Sequence, residues 1–166
     1  SETDKSDLRA DLITVDSFTN FEVSVDWKIS PQGNSGIMYH VSEAYDAAYL
    51  SGPEYQLIDD VGFPEKLEDW QKTGADYGMY SASSQPTKPV GEFNTTRIVV
   101  NGSRREHWLN DVKVLEFEAW TPDWEKRKTE GKWKEYPQYG TMKSGKICLQ
   151  DHGGGVWFKN VKIRTL

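Results

Sequence analysis

Cysteine occurs once in this 166-residue chain, at Cys148. One thiol cannot form an intramolecular disulfide, and it is silent about redox compartment. Cys148 lies in a strand-like run, so it reads as a small buried hydrophobe and not as a nucleophile. No run of about 18 apolar residues is present, so the chain as given contains no membrane-spanning helix. It has neither an initial Met nor a leader sequence, which reads as a mature or trimmed chain. Positive charge is short: 20 Lys and Arg against 26 Asp and Glu give a formal net charge of −6 and a pI near 5.1. That balance argues against a nucleic-acid backbone as partner. The charges are dispersed, so the acidity reads as solubility and not as a tail. Walker loop, dinucleotide fingerprint, His-Glu-x-x-His, Cys-x-x-Cys and Gly-x-Ser-x-Gly elbow are all missing, which removes sequence support for phosphate, nicotinamide, zinc and elbow-serine chemistry. No internal repeat, heptad or low-complexity tract appears.

What is there points to one β-rich domain over residues 1–166. A length near 150 is usually one core, and such a chain buries roughly 70% of its unfolded surface without a metal or disulfide staple. Aromatic content is 13%, with seven Trp and eight Tyr. About half of these are expected to fill a core, and the surplus suits a surface that stacks on flat, partly apolar ligands such as sugar rings.

The chain is organised around Asn34–His40 and Ser51–Asp60. Each reads as a turn (Asn34, Gly36; Gly52, Pro53) opening an apolar-rich strand. In the second, period-two alternation puts Tyr55 and Leu57 on one face and Glu54, Gln56 and Ile58 on the other. A carboxylate and an amide then project from the polar side of a strand whose other side is buried, the usual way an all-β protein presents a ligand surface.

In order along the chain, Ser1–Arg9 is polar and charged and is expected to fray. Leu12–Val15 is a short strand. Phe18–Ile29 carries the clearest alternation, with Phe21, Val23, Val25, Trp27 and Ile29 facing inward. Pro31–Asn34 is a turn and Ile37–Val41 the returning partner strand. Ser42–Ser51 is a loop with room for one helical turn, and Val61–Lys72 a loop with a short helix. Phe93–Asn101 is a strand, with Ile98 and Val100 on one side and Arg97 and Val99 on the other. Glu106–Asn110 and Val112–Phe117 form a hairpin across an Asn110-Asp111 turn suited to positive φ. Thr121-Pro122-Asp123 starts a helix running to about Trp133, weakened by Gly131. Lys146–Asp151 and Val156–Leu166 are the last pair of strands, joined by Gly153-Gly154-Gly155. About nine short strands with little helix predict a jelly-roll β-sandwich with one short helical excursion.

The polar groups that could carry chemistry are scattered on these strands. Glu54 reads as a functional acid beside Gln56 or as a solvated edge carboxylate. Cys148, Gln150 and His152 share one face of their strand. His152 opens onto the triple glycine and reads as a site imidazole or as a structural, hydrogen-bonded one. Arg97 is placed either to ion-pair with Glu54 and hold it ionised or to face solvent. His107 shares a face with Leu109, so a packed role competes with catalysis. Asp59-Asp60 is a weak calcium signal, lacking further oxygen ligands; no other cofactor is indicated.

Seven ordered segments resemble the 3-keto-disaccharide hydrolase family: Asn34–Ile37, Gly52–Gln56, Gly91–Asn94, Arg97–Val99, His107–Asn110, Leu149–Gly153 and Val156–Ile163. The resemblance implies a concanavalin A-like (laminin G-like) fold and a secreted or periplasmic bacterial protein acting on oxidised sugars. The family's usual opening segment, ahead of a Trp and further strands, is not found, which leaves N-terminal strands unaccounted for. Carried over onto this chain, the site candidates are Glu54, Gln56, Arg97, His107, Gln150 and His152. A C3 ketone acidifies the C2 proton, so such a site needs a base, an acid near the glycosidic oxygen, and donors for the enolate oxygen. These roles fall to Glu54 as base, His152 as acid, and Arg97 or Gln150 at the enolate, with Gln56 and His107 binding substrate. Two rivals stand beside this reading. One is a non-catalytic carbohydrate-binding module, favoured by the aromatic surplus. The other is an ordinary glycosidase with two carboxylates about 5 to 10 Å apart, the second from Asp59 or Glu106. The partner in each case is a small carbohydrate, with oligomeric state open.

Overall fold

The computed structural model describes residues 10–166. The expectation that residues 1–9 fray lies outside the described residues. Within them, nine strands form two antiparallel sheets, and α1 (Pro122–Glu130) is the one α-helix. The four-stranded sheet runs β1 (Leu12–Ile13), β8 (Lys146–Leu149), β3 (Asn34–Val41), β4 (Glu54–Ile58). The five-stranded sheet runs β7 (Val112–Glu118), β6 (Arg104–Leu109), β5 (Asn94–Asn101), β2 (Phe21–Ile29), β9 (Val156–Thr165). This is the expected jelly-roll sandwich. Among the described residues no helix is long and apolar enough to cross a membrane.

Alternation builds the core. Phe21, Val23, Val25, Trp27 and Ile29 of β2 all point inward and meet Ile37 and Tyr39 of β3, Tyr55 and Leu57 of β4, Ile98 and Val100 of β5, and Ile147 of β8. Trp27 is fully buried, and its indole N–H donates to Thr96 Oγ1 at 2.9 Å, which satisfies the one polar atom it carries inside. The β6–β7 hairpin turns on Asn110 (φ 47°) and Asp111 (φ 65°), both left-handed as a tight two-residue loop requires.

Several features differ from expectation. β3 already starts at Asn34, and the turn before it is made by Gln32 (φ 60°). α1 starts where expected, with Thr121 Oγ1 accepting from the Trp124 amide at 3.2 Å, but stops at Glu130 because Gly131 caps it. β8 ends at Leu149, so Gln150–His152 is not strand. Finally, β8 and β9 do not pair: the glycine run carries the chain from one sheet to the other. Leu149 packs in the shared core, and chain leaving it can join either layer.

A second apolar cluster sits outside the sandwich. Trp124 of α1 and Trp133 and Tyr139 of the segment after it pack with Met79 and Phe117, and Tyr77, Tyr80 and Tyr136 lie against them. The Trp133 and Tyr139 rings are stacked at 4.0 Å. Here the aromatic surplus is spent partly on fastening the helical excursion to the edge of β4.

Candidate functional site

The outward face of the four-stranded sheet carries the site. Register places Met38 across from both Glu54 and Cys148, and Gly36 across from Gln56. The Gln150 backbone N–H donates to Gly36 O at 2.9 Å, which extends that row to Gln150. Met38, Val41 and Cys148 form a small apolar floor. The row beside it is polar: Gln56, Gln150, and Asn34, whose Oδ1 accepts from Gln56 Nε2 at 3.4 Å. Gly36 leaves the space into which the Glu54 side chain folds, since a Cβ at residue 36 would overlap Glu54 Oε1.

Of these groups, Asn34, Glu54, Gln56 and Gln150 line a cleft of about 370 Å³. Residues 74–77 run beside β4 as a further edge, through Gln56 N–H to Ala75 O at 3.1 Å and Tyr77 N–H to Glu54 O at 3.0 Å. Tyr77 therefore stands next to Glu54. The Trp133 indole donates to Tyr77 O at 3.0 Å, fixing the excursion over the same edge. Lys132 Nζ sits 4.9 Å above the Tyr77 ring. Tyr49, Tyr136, Asp11, Asp151 and His152 complete the rim. Asp151 is held by its backbone: its amide donates to Asp11 Oδ1 at 2.9 Å, and its own Oδ1 accepts from Gly153 N–H at 2.9 Å.

The walls change the chemistry of the polar face. Glu54 is 5% exposed and Gln56 2%, so neither is the solvated edge group that strand alternation allows. Burial, with the nearby Asp76 charge adding to it, pushes the Glu54 carboxyl up to about 8. The Gln150 side-chain oxygen is buried with no hydrogen-bond partner among the described residues.

Of the six sequence candidates, the structure brings Glu54, Gln56, Gln150 and His152 together in this cleft. Arg97 and His107 are elsewhere. Arg97 lies on the outer face of the five-stranded sheet, stacked 3.9 Å over Trp108 and 3.6 Å from Glu22, so it cannot ion-pair with Glu54. Its strand alternates as expected, but β5 belongs to the other sheet. His107 points into the core beside Tyr55, with ring centroids 4.8 Å apart, and its Nδ1 bonds Gly74 O at 2.9 Å. Burial pulls its imidazole down to about 4, so it is a neutral packing group.

The other carboxylates of interest also lie outside. Glu106 accepts from the Trp108 indole and pairs with Arg104 on the outer face. Asp59 accepts from the amides of Gln32, Val61 and Gly62, and Asp60 from Thr73 N–H and the Thr87 hydroxyl. These bonds leave the Asp59-Asp60 pair few oxygens for a cation. Among the described residues, no three His, Cys, Asp or Glu side chains group as a metal site.

Asp11, Tyr49, Tyr77, Lys132 and Tyr136 carried no sequence signal beyond the aromatic surplus, and Asp151 lay in the resembling segment Leu149–Gly153 without being singled out. They reach the cleft on loops, where no periodicity tells which way a side chain faces.

A 3-keto-disaccharide hydrolase of Bacteroides thetaiotaomicron is 34% identical over 94% of this chain, and the chain spans 62% of that relative's length. A crystal structure from Parabacteroides distasonis, described as a candidate glycosyl hydrolase, superposes with a TM-score of 0.90 at 46% identity, covering 94% of this chain and 76% of the other. A carbohydrate-binding module of Bacillus subtilis shares the fold alone, with a TM-score of 0.62 at 13% identity over 97% of this chain and 84% of the module. Residues 2–164 match the 3-keto-alpha-glucoside-1,2-lyase-like domain family, and the chain belongs to that family.

Proposed function

We propose that this protein cleaves the glycosidic bond of 3-keto-glycosides, with small 3-keto-disaccharides as substrates, by elimination and rehydration. The observation that carries the reading is Glu54: a carboxyl buried on the floor of a sugar-sized cleft, raised to about 8, beside two amides and below an aromatic rim. A general base works best with a pKa near the working pH, and burial has moved this one there.

In the proposed sequence, ionised Glu54 takes the C2 proton, and the electron pair of that bond delocalises onto the C3 oxygen as an enolate. The Gln56 and Gln150 amide N–H groups are the donors available to that oxygen. Collapse of the enolate breaks the C1–O bond, and the departing oxygen takes a proton from His152 at the rim. The enone then adds water: His152, left neutral, takes a proton from the water as its hydroxyl bonds to C1, and Glu54 returns its proton to C2. The sum is hydrolysis. Arg97, the other donor considered for the enolate, has no part, because it lies on the far sheet. Action on sugars outside the cytoplasm, which the family resemblance implies, belongs to the same proposal.

The test is turnover of 3-keto-trehalose or 3-keto-lactose against the unoxidised sugars, with wild type and Glu54→Gln. Cleavage of the keto-sugars alone, lost in E54Q, supports the proposal. Cleavage of unoxidised sugars favours a two-carboxylate glycosidase, for which Asp11 and Asp151 are the further acids in the cleft. Binding without product favours a carbohydrate-binding module.

A further inference from the structure

Among the residues lining the cleft, Lys132 is the one Lys or Arg; the other side chains there that can carry a full charge are Asp11, Glu54, Asp151 and His152. It is exposed, yet its place is fixed from both sides. Gly131 ends α1 just before it, with its amide on Arg127 O at 2.9 Å. Trp133 follows it, buried, with its indole N–H on Tyr77 O at 3.0 Å and its ring stacked 4.0 Å from Tyr139. The Lys132 stem rests on Gly78 (φ 76°), where a Cβ would stand 3.0 Å from Lys132 Cδ and 2.8 Å from the Trp133 indole nitrogen. The ammonium ends 4.9 Å over the Tyr77 ring and 5.6 Å over that of Trp133. Tyr77 is the residue whose amide donates to Glu54 O at 3.0 Å, so this cation sits over the immediate neighbour of the buried carboxyl. Two nearby cations of α1 are committed elsewhere: Arg127 to Asp123 and Met79 O, Lys128 to Pro137 O. Lys132 is held by rings instead, which fix an ammonium without neutralising it.

We propose that Lys132 is a catalytic residue for C2-proton abstraction: its ammonium binds the C3 oxygen of the keto-sugar and holds the negative charge that develops there as the enolate forms. The inference rests on the reading of Glu54 as the base. When Glu54 takes the C2 proton, the electron pair of the C2–H bond moves to the C3 oxygen, and Lys132 keeps its own protons throughout. Gln56 and Gln150 offer neutral donors on the strand side of the cleft, whereas a charge-assisted donor is roughly twice as strong. A donor aimed where charge appears only in the transition state raises kcat more than it tightens binding. A C3 hydroxyl develops no such charge, so the same group sorts the keto-sugar from its alcohol.

The experiment compares wild type, Lys132→Met and Lys132→Arg of the whole chain in two assays. One is steady-state cleavage of a 3-keto-disaccharide. The other is C2-proton exchange in D2O, followed by NMR, on the 3-keto form of a 1,5-anhydro sugar, which lacks a leaving group and so reports enolate formation alone. K132M should lose about 10²- to 10³-fold in kcat with KM within about threefold, and C2 exchange should slow by a similar factor. K132R should regain most of both, and both variants should melt with wild type, since the side chain is exposed. A K132M that raises KM at unchanged kcat overturns the proposal, because Lys132 is then a plain binding group. Exchange as fast in K132M as in wild type overturns it too, as does a borohydride-trapped sugar adduct on Lys132, which would make it a nucleophile. Wild type that cleaves and exchanges while K132M is unimpaired sinks the role of Lys132 alone. Wild type that neither cleaves nor exchanges sinks the reading of Glu54, and this role with it.

Discussion

Glu54→Gln should make the protein more stable, and by an amount that depends on pH. The carboxyl titrates at its ordinary 4.5 in the unfolded chain and at about 8 when folded. Between these values the folded state holds a proton that the unfolded state has lost, so stability falls as pH rises through the window and levels off above it. Each unit is worth about 1.4 kcal/mol, so the whole window amounts to roughly 4 to 5 kcal/mol. Asp76, also raised to about 8 by burial, adds a slope of the same sign. His40 and His107 act oppositely. Burial lowers both from 6.5 to about 4, so their stabilising share is present above 6.5 and is lost as pH falls towards 4. From about 4.5 to 6.5 the two acids and the two imidazoles nearly cancel. Above 6.5 only the acids remain, and wild-type stability should drop by about 2 to 3 kcal/mol per unit up to pH 8. Gln is isosteric and uncharged, so E54Q should roughly halve that slope and exceed wild type by several kcal/mol at pH 9, while matching it near pH 4.5. Urea unfolding followed by tryptophan fluorescence at pH 5, 6, 7, 8 and 9 measures this. A difference between the two proteins that stays constant with pH, or an E54Q less stable than wild type at pH 9, would refute the assignment of a buried, neutral Glu54.

Four further outcomes are expected. On a 3-keto-disaccharide, Glu54 should set one limb of the kcat/KM pH profile near pH 8, while E54Q should lose about 10² to 10⁴-fold, both read from initial rates. Gly36→Ala should cost at least about tenfold in kcat/KM with an unchanged circular-dichroism spectrum, because the new Cβ must displace the Glu54 carboxyl while its own backbone stays unstrained. Arg97→Ala should leave turnover within about twofold and cost about 1 kcal/mol or less as a half-buried surface pair and ring contact. His107→Ala should instead cost about 2 to 4 kcal/mol in urea unfolding, because it empties a core position while its shape is read by Tyr55 and Phe117.

What the sequence determined by itself is the layer pattern. Side chains alternate with period two, so the inward residues of β2, β4 and β5 could be read without any neighbour. The Asn110-Asp111 turn and the Thr121 cap are local in the same sense, set by residues within a few positions of one another. Glu54 and Gln56 on one face followed from the same rule, and the remaining motif residues came from family resemblance. Only the tertiary structure decided which outward face each strand contributes. A sandwich has two outer faces, and alternation says "outward" without saying which, so Arg97 and Glu54 looked alike in sequence yet lie on opposite sheets. The burial of Glu54 was decided in the same way. It depends on residues 74–77 and 131–136 folding over the β4 edge, contacts more than 15 positions away in the chain that no local pattern records. The same long-range closure turned a surface carboxylate into one that keeps its proton near neutral pH.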